Sequence, residues 1–215
     1  MIYGVNRVAT SPLTKDDGNA VPTYGSVTDC GDGNIAEFDY KPKYNSGSAY
    51  GSNRQVAADT EYASAEVDLE LNDFPADLKV AILGALKSSD GGAIGTDSDY
   101  SPDLAVLYKA PLRKAVGDSK HGFRYGVIYD VTFVEGDYAH KTLEGKPAYT
   151  AENKLTGTAL PLKYTITDSQ GHKRHLVEYH IDKPDESLDD TWFSKVTVPT
   201  IASASNTASA SGTTN

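Results

Sequence analysis

The 215-residue chain carries 20 Lys+Arg against 30 Asp+Glu, a formal net charge of -10 with a pI near 4.9. That length suits one large domain or two small ones, and an apolar fraction of 39% is too high for wholesale disorder. Nucleic-acid binding rests on Lys and Arg displacing counterions from phosphates, so the acidic balance argues against a DNA- or RNA-binding protein.

The charge is uneven. Residues 1–100 hold 7 basic and 16 acidic side chains, whereas residues 101–215 hold 13 and 14. Such asymmetry marks a particular face or loop set, or simply a well-solvated surface. Cys30 is the only cysteine, which excludes an intramolecular disulfide and a cysteine-based zinc site. The start, Met1-Ile2-Tyr3-Gly4-Val5-Asn6-Arg7, does not read as a signal peptide. No stretch approaches the ~20 apolar residues of a bilayer span, so a soluble protein made in a reducing compartment is expected.

In chain order, short strands are expected near Tyr3-Gly4-Val5 and Tyr24-Gly25. Residues 29–61 are rich in Gly and Ser and show little apolar alternation, which reads as a long irregular loop. Tyr40, Tyr44 and Tyr50 are spaced through it, with Lys41, Lys43 and Arg54. Tyrosine joins a large apolar area to a wet hydroxyl, so tyrosines with no strand of their own point to a partner. Residues 65–71 alternate strictly, with Ala65, Val67, Leu69 and Leu71 on one face and Glu66, Asp68 and Glu70 on the other, the period of a half-buried strand.

Asp73-Phe74-Pro75 then offers a capping carboxylate and an early proline. Leu78, Ala81, Ile82, Ala85 and Leu86 form one stripe on a helix of about three turns. Leu104 to Tyr108 is a shorter strand candidate. Val127, Tyr129, Val131 and Phe133 alternate along 127–134 and are expected to share one face. Residues 160–181 read as a β-hairpin about the turn Asp168-Ser169-Gln170-Gly171. Ile201 to Asn215 is uncharged and low in complexity, a disordered tail or linker. The fold class is thus mainly β (α+β), a β-sandwich or barrel with one packed amphipathic helix, a long loop and a tail. The expected division is a domain over 1–198 and a tail over 199–215.

Motifs for chemistry are scarce. His172, His175 and His180 invite a metal, but on a strand His172 and His180 lie roughly 26 Å apart and His175 faces the other way, so this run alone cannot enclose an ion. No G-x-S-x-G, phosphate-binding glycine loop or H-E-x-x-H occurs. Asp16-Asp17-Gly18-Asn19 and Asp97-Ser98-Asp99 are fragments of calcium loops without the closing glutamate. Neither catalysis nor a cofactor is expected.

One resemblance covers about residues 1–165. It runs from Tyr3-Gly4-Val5 through Pro12-Leu13-Thr14, Asp16, Asp17 and Tyr24-Gly25. It continues with Tyr50, the strand 65–71, Phe74-Pro75, Leu83-Gly84 and Pro102. Gly122-Phe123-Arg124-Tyr125 leading into Ile128-Tyr129-Asp130-Val131-Thr132-Phe133 is its best stretch, followed by Lys141-Thr142 and Leu155-Thr156-Gly157-Thr158. In order and spacing this resembles the major tail (tail tube) proteins of long non-contractile-tailed bacteriophages of Gram-positive bacteria. Asp130 departs from it, standing where such proteins tend to carry lysine.

The resemblance implies a structural virion protein, made in the host cytoplasm and located in the tail. It implies hexameric rings stacked into a tube that holds the tape measure protein and conducts double-stranded DNA. The implied partners are other copies of the chain, the tape measure protein, and the tail terminator and distal tail proteins, with no membrane. Within that reading, Glu66, Asp68 and Glu70 are expected to face the lumen and repel phosphate. Tyr40, Tyr44, Tyr50 and Arg54 are expected to make contacts between subunits. The rival readings are a β-rich carbohydrate- or surface-binding module and a hydrolytic enzyme on a β-scaffold. The absent signal peptide and single tryptophan stand against the first, the lack of a nucleophile or metal constellation against the second.

Overall fold

The structure, a computed structural model, describes residues 4–51, 54–113, 122–136 and 153–201, and of residues 49–51 and 54–59 the backbone alone. The elements are β1 (Arg7–Lys15), β2 (Thr23–Tyr24), β3 (Thr28–Asp29), β4 (Ile35–Gly51), β5 (Arg54–Leu71), α1 (Ala76–Leu83), β6 (Leu86–Lys87) and β7 (Ala93–Ile94). They continue with β8 (Leu104–Leu112), β9 (Gly122–Glu135), β10 (Asn153–Ala159), β11 (Thr165–Thr167), β12 (Lys173–His175), β13 (Glu178–Lys183) and α2 (Asp189–Trp192). The chain is mainly β, as expected. Nine strands make one antiparallel sheet in the order β2-β1-β8-β9-β10-β5-β4, with β13 also on β9 and β3 also on β1.

The strands β1, β8 and β9 are buried on both faces. On β8, Leu104 and Val106 point into one apolar cluster and Ala105 and Leu107 into another. Double burial explains why Leu104–Leu107 reads as an unbroken apolar run rather than an alternating one. The first cluster is closed by Val67 and Leu69 of β5, Leu155 of β10, and Leu78 and Ile82 of α1. The sheet therefore curls on itself, and Phe38 of β4 meets Tyr108 of β8 with ring centroids 5.2 Å apart.

The second cluster is closed by the C-terminal segment. Trp192 and Phe193 pack with Tyr125, Val127 and Tyr129 on that face. Lys109, only 4% exposed, pairs with Glu186 at 2.6 Å and Asp189 at 2.7 Å, and its ammonium lies 4.5 Å from the Phe123 ring centre. The Tyr125 hydroxyl donates to the same Asp189 carboxylate, and the Tyr129 hydroxyl donates to the Thr197 carbonyl at 2.5 Å.

Four expectations need correction. The alternation over 127–134 does not keep to one face. Val106 pairs with Ile128 and Leu104 with Val131, so three residues of β9 span what two of β8 span. The extra residue is accommodated at Asp130, whose φ of 53° is the only positive value outside glycine among the described residues. Asp tolerates this left-handed conformation better than β-branched neighbours would. Before the bulge Val127 and Tyr129 face the second cluster; after it Val131 and Phe133 face the first. Here β9 also changes partner, from β13 along Phe123–Ile128 to β10 along Val131–Glu135.

Second, 29–61 is not an irregular loop. Most of it belongs to the long antiparallel pair β4 and β5. Alternation failed as a signal because the part of this hairpin whose side chains are described, residues 44–48 and 60–61, is exposed on both faces. Third, α1 has 8 residues, not three turns, and no side chain caps its start. The Asp73 backbone N–H donates to Asn34 Oδ1 at 2.7 Å instead. Gly84 ends the helix in the left-handed region at φ 72°, and a Cβ there would lie 2.0 Å from the Tyr100 carbonyl oxygen. Fourth, the hairpin over 160–181 is confined to β11 and β12, while β13 leaves to pair with β9. Leu162 is fully buried but Leu160 is 48% exposed. Lys141-Thr142 and tail residues 202–215 lie outside the described residues.

Candidate assembly surfaces

Register decides which side chains share a face. On one side of β5 lie Glu66, Asp68 and Glu70, and directly opposite them on β4 stand Lys41, Asp39 and Glu37. On β10 the opposite positions are Thr158, Thr156 and Lys154. This face points away from the first apolar cluster, whose contributors Val67 and Leu69 occupy the alternate positions.

The acidic row is laced with lysine. Lys41 lies 2.7 Å from Asp68, 3.4 Å from Asp39 and 3.6 Å from Glu66. Lys43 lies 2.9 Å from Glu66, and Lys154 lies 3.5 Å from Glu70 and 3.8 Å from Asp68. The Thr156 hydroxyl donates to Asp68 at 3.1 Å. Asp68 is only 5% exposed, and the Lys41 hydrogen bond holds its carboxyl below the usual range. Lys43 does the same for Glu66. Five carboxylates meet three ammonium groups here, so the face keeps a modest negative excess. The row is a charge ladder stitching β4, β5 and β10 together, not a bare acidic stripe.

Beyond this ladder no third strand accompanies the hairpin among the described residues. β10 accompanies β5 only from Ala65 to Leu71, while β4 and β5 stay paired out to Gly51 and Arg54. Eight residues past Lys43 at ~3.3 Å each make an arm of roughly 26 Å. Tyr44 sits at its base, 58% exposed and edge-on to Tyr62 at 5.9 Å. Tyr50 and Arg54 stand at the last rungs by backbone position; their side chains lie outside the described residues. Tyr40 is not on the arm. It lies opposite Val67 on the inner face and lines a cleft of about 390 Å³ with Phe38, Tyr108, Arg124, Glu178 and His180. The outer edge of β4 is unpaired among the described residues.

The other singled-out residues are accounted for locally. The Asp16 carboxylate accepts the Lys163 and Tyr164 backbone N–H groups at 2.6 and 3.0 Å, fastening the β1 end to the 160–164 segment. Asp99 bonds the Thr96 hydroxyl at 2.6 Å. His175 Nδ1 lies 2.7 Å from the Leu162 carbonyl oxygen and His172 Nδ1 3.4 Å from Asp168. Among the described residues no group of His, Cys, Asp and Glu is placed to hold a metal.

Asp130 is a titratable group that composition alone did not mark. Burial, then the nearby Asp103 and Asp16 carboxylates, push its carboxyl up to about 6, against a smaller opposing pull from Lys163. The folded state therefore binds more protons than the unfolded chain between about pH 4 and 6, and this site loses stability as pH rises through 6. Asp130→Asn keeps a side chain suited to positive φ and removes the charge. The variant is expected to be more stable at pH 7 by about 1 kcal/mol, allowing for the part of the group still in water. Thermal melts of both proteins from pH 4 to 7 check this, the gap closing toward pH 4.

Among the described residues, an unpaired strand edge, an arm without a third strand and a salt-laced sheet face are the features left open to association. The chain belongs to the phage tail tube protein family, whose model matches residues 44–182, well over half the sequence. It is a structural protein of the virion, a major tail component. The match begins at the arm and ends in β13. No curated protein matches the chain. No helix among the described residues is long and apolar enough to cross a membrane.

Proposed function

We propose that the chain forms hexameric rings that stack into a tube, which holds the tape measure protein during assembly and later conducts double-stranded DNA to the host. The arm carries this reading. A two-stranded hairpin of that length is marginal in water without a third strand or a packed face. A subunit that keeps one needs a neighbour. Head-to-tail contacts close a ring when the rotation closes, and stacking repeats it along an axis. The free edge of β4 is covered in the same step, which removes an aggregation template. The division into a tube domain over 1–198 and a tail over 199–215 belongs to this reading. So do the tail terminator and distal tail proteins as partners at the two ends.

In this reading the face bearing Glu66, Asp68 and Glu70 lines the lumen, and Tyr44, Tyr50 and Arg54 contact a neighbouring ring, with Tyr40 bracing the arm from inside. The ladder suits a conduit. Each lysine is already engaged by carboxylates, so it is a poor counterion for a phosphate, and the residual charge is negative. DNA passes because nothing on the wall replaces its counterions. Glu66→Lys with Glu70→Lys inverts that balance while sparing the buried Asp68. Tubes of this variant are expected to retain duplex DNA at 50 mM salt and release it at high salt, as electrophoretic mobility would show. Equal retention by wild-type tubes would remove these residues from the lumen. Electron microscopy of the concentrated protein tests the reading as a whole: six-fold rings and tubes support it, and a persistent monomer sinks it.

A further inference from the structure

The subunit is a stack of layers, and its two ends are unlike. The ladder on β4, β5 and β10 is one end, with the first apolar cluster behind it and the doubly buried strands β1, β8 and β9 behind that. The second cluster follows, and the C-terminal strap, residues 184–201, closes it from the far side with Trp192, Phe193, Val196 and Val198. Tyr164 and Ile166 bring the β11–β12 hairpin to the same side. Packed layers lie about 10 Å apart, which puts the strap on the order of 20 Å from the ladder.

We infer that the strap and the β11–β12 hairpin form the outer wall of the tube and take no part in contacts between subunits, a placement that rests on the tube reading. Three observations support it. The layers set the strap opposite the ladder, so a lumen on the ladder side turns the strap outward. The strap is also held fast within its own subunit. Lys109 pairs with Glu186 and Asp189, the Tyr129 hydroxyl donates to the Thr197 carbonyl, and the Arg7 guanidinium lies 4.2 Å from the Phe193 ring centre. Finally, what this side turns to solvent is polar. Lys173, Arg174, Asp190, Thr191, Ser194 and Lys195 are exposed, and across 163–175 and 184–201 Ile201 is the one large apolar side chain that is. Subunit contacts are built around a buried apolar centre, and this side has none to offer. It suits water and polar or ionic partners met from outside. Val198 holds the end of the strap to this wall, so a domain appended beyond Ile201 would be carried on the exterior.

The test places one accessible cysteine at a time on the full chain, since Cys30 is only 1% exposed and stays unreactive. Lys195→Cys lies on the strap, Gln170→Cys in the β11–β12 turn and Glu66→Cys on the ladder. Free subunits and assembled tubes are each treated with maleimide coupled to a gold particle too wide for a channel that fits one duplex, and viewed by electron microscopy. All three free subunits are expected to react. In tubes, positions 195 and 170 are expected to keep their gold along the full length, and position 66 to lose it. Bare tubes at 195 or 170, or gold along tubes at 66, would overturn the inference. So would a Lys195→Cys subunit that melts as the unmodified protein does yet no longer polymerises. Gln170→Cys changes no strap residue and carries the reading should Lys195→Cys melt low. Unmodified protein examined alongside separates the two levels. If it forms no polymer, the tube reading itself fails; if it forms tubes and the gold falls elsewhere, this wall alone is lost.

Discussion

Lys109→Ala is expected to cost about 3 kcal/mol of stability and to lower Tm by roughly 6–12 °C. The ammonium is almost fully enclosed and lies 2.6 and 2.7 Å from two carboxylates, one of which also accepts the Tyr125 hydroxyl. Truncation leaves Asp189 partly buried without its cation and removes the stem packed near Phe123. The cost falls at the low end of the range for broken buried pairs because Glu186 is 59% exposed and can turn to water. Burial pushes the Asp189 carboxyl up, but the Lys109 and Tyr125 hydrogen bonds overcome it and hold it low. That contribution is therefore present above about pH 4 and lost as pH falls below it. The single tryptophan reports on this corner, since Trp192 stacks near Tyr125 and Tyr179 at 5.8 and 6.0 Å. Its emission in Lys109→Ala is expected to shift to the red before the main unfolding transition. An unchanged Tm and emission would show that the C-terminal segment is held by apolar packing alone.

The second large effect concerns assembly rather than folding. Tyr44→Ala combined with Arg54→Ala is expected to abolish tubes while changing subunit stability by less than about 1 kcal/mol, because Tyr44 is exposed, Arg54 stands at the last rung of the hairpin, and substitutions at surface positions away from the core are usually near neutral. Tyr40→Ala makes the contrast. Its ring is partly buried against the first apolar cluster and faces Tyr108 and Phe38 across the cleft, so its loss weakens the subunit as well. Sedimentation gives polymer yield and urea denaturation gives stability. Normal tubes from the double variant would take the arm out of the ring contact.

Much of the fold was legible where a strand has one buried face. Residues 65–71 alternate because β5 has the apolar cluster on one side and the charge ladder on the other. The same rule failed in three instructive places. Residues 44–48 of β4 and 60–61 of β5 are exposed on both faces, so a long regular hairpin looks like a loop. Along β9 the alternation is real but a bulge turns its second half over, and only the departure at Asp130 hinted at it. The helical stripe ran past its end because Ala85 and Leu86 keep helical spacing by chance, while Gly84 stops the helix to let the Tyr100 backbone pass. The acidic row was placed on one face correctly, yet its pairing with Lys41, Lys43 and Lys154 depends on register between strands far apart in sequence. No local pattern encodes that.

The central claim is a six-fold tube with the β4–β5–β10 ladder on its inner wall, and a cryo-electron microscopy reconstruction at side-chain resolution tests it most directly. The account predicts stacked six-membered rings in which Glu66 and Glu70 of every subunit face the lumen and the arm crosses to the next ring. A reconstruction with those carboxylates on the outer surface or buried between subunits would contradict it, as would a protein that stays monomeric at every concentration tried.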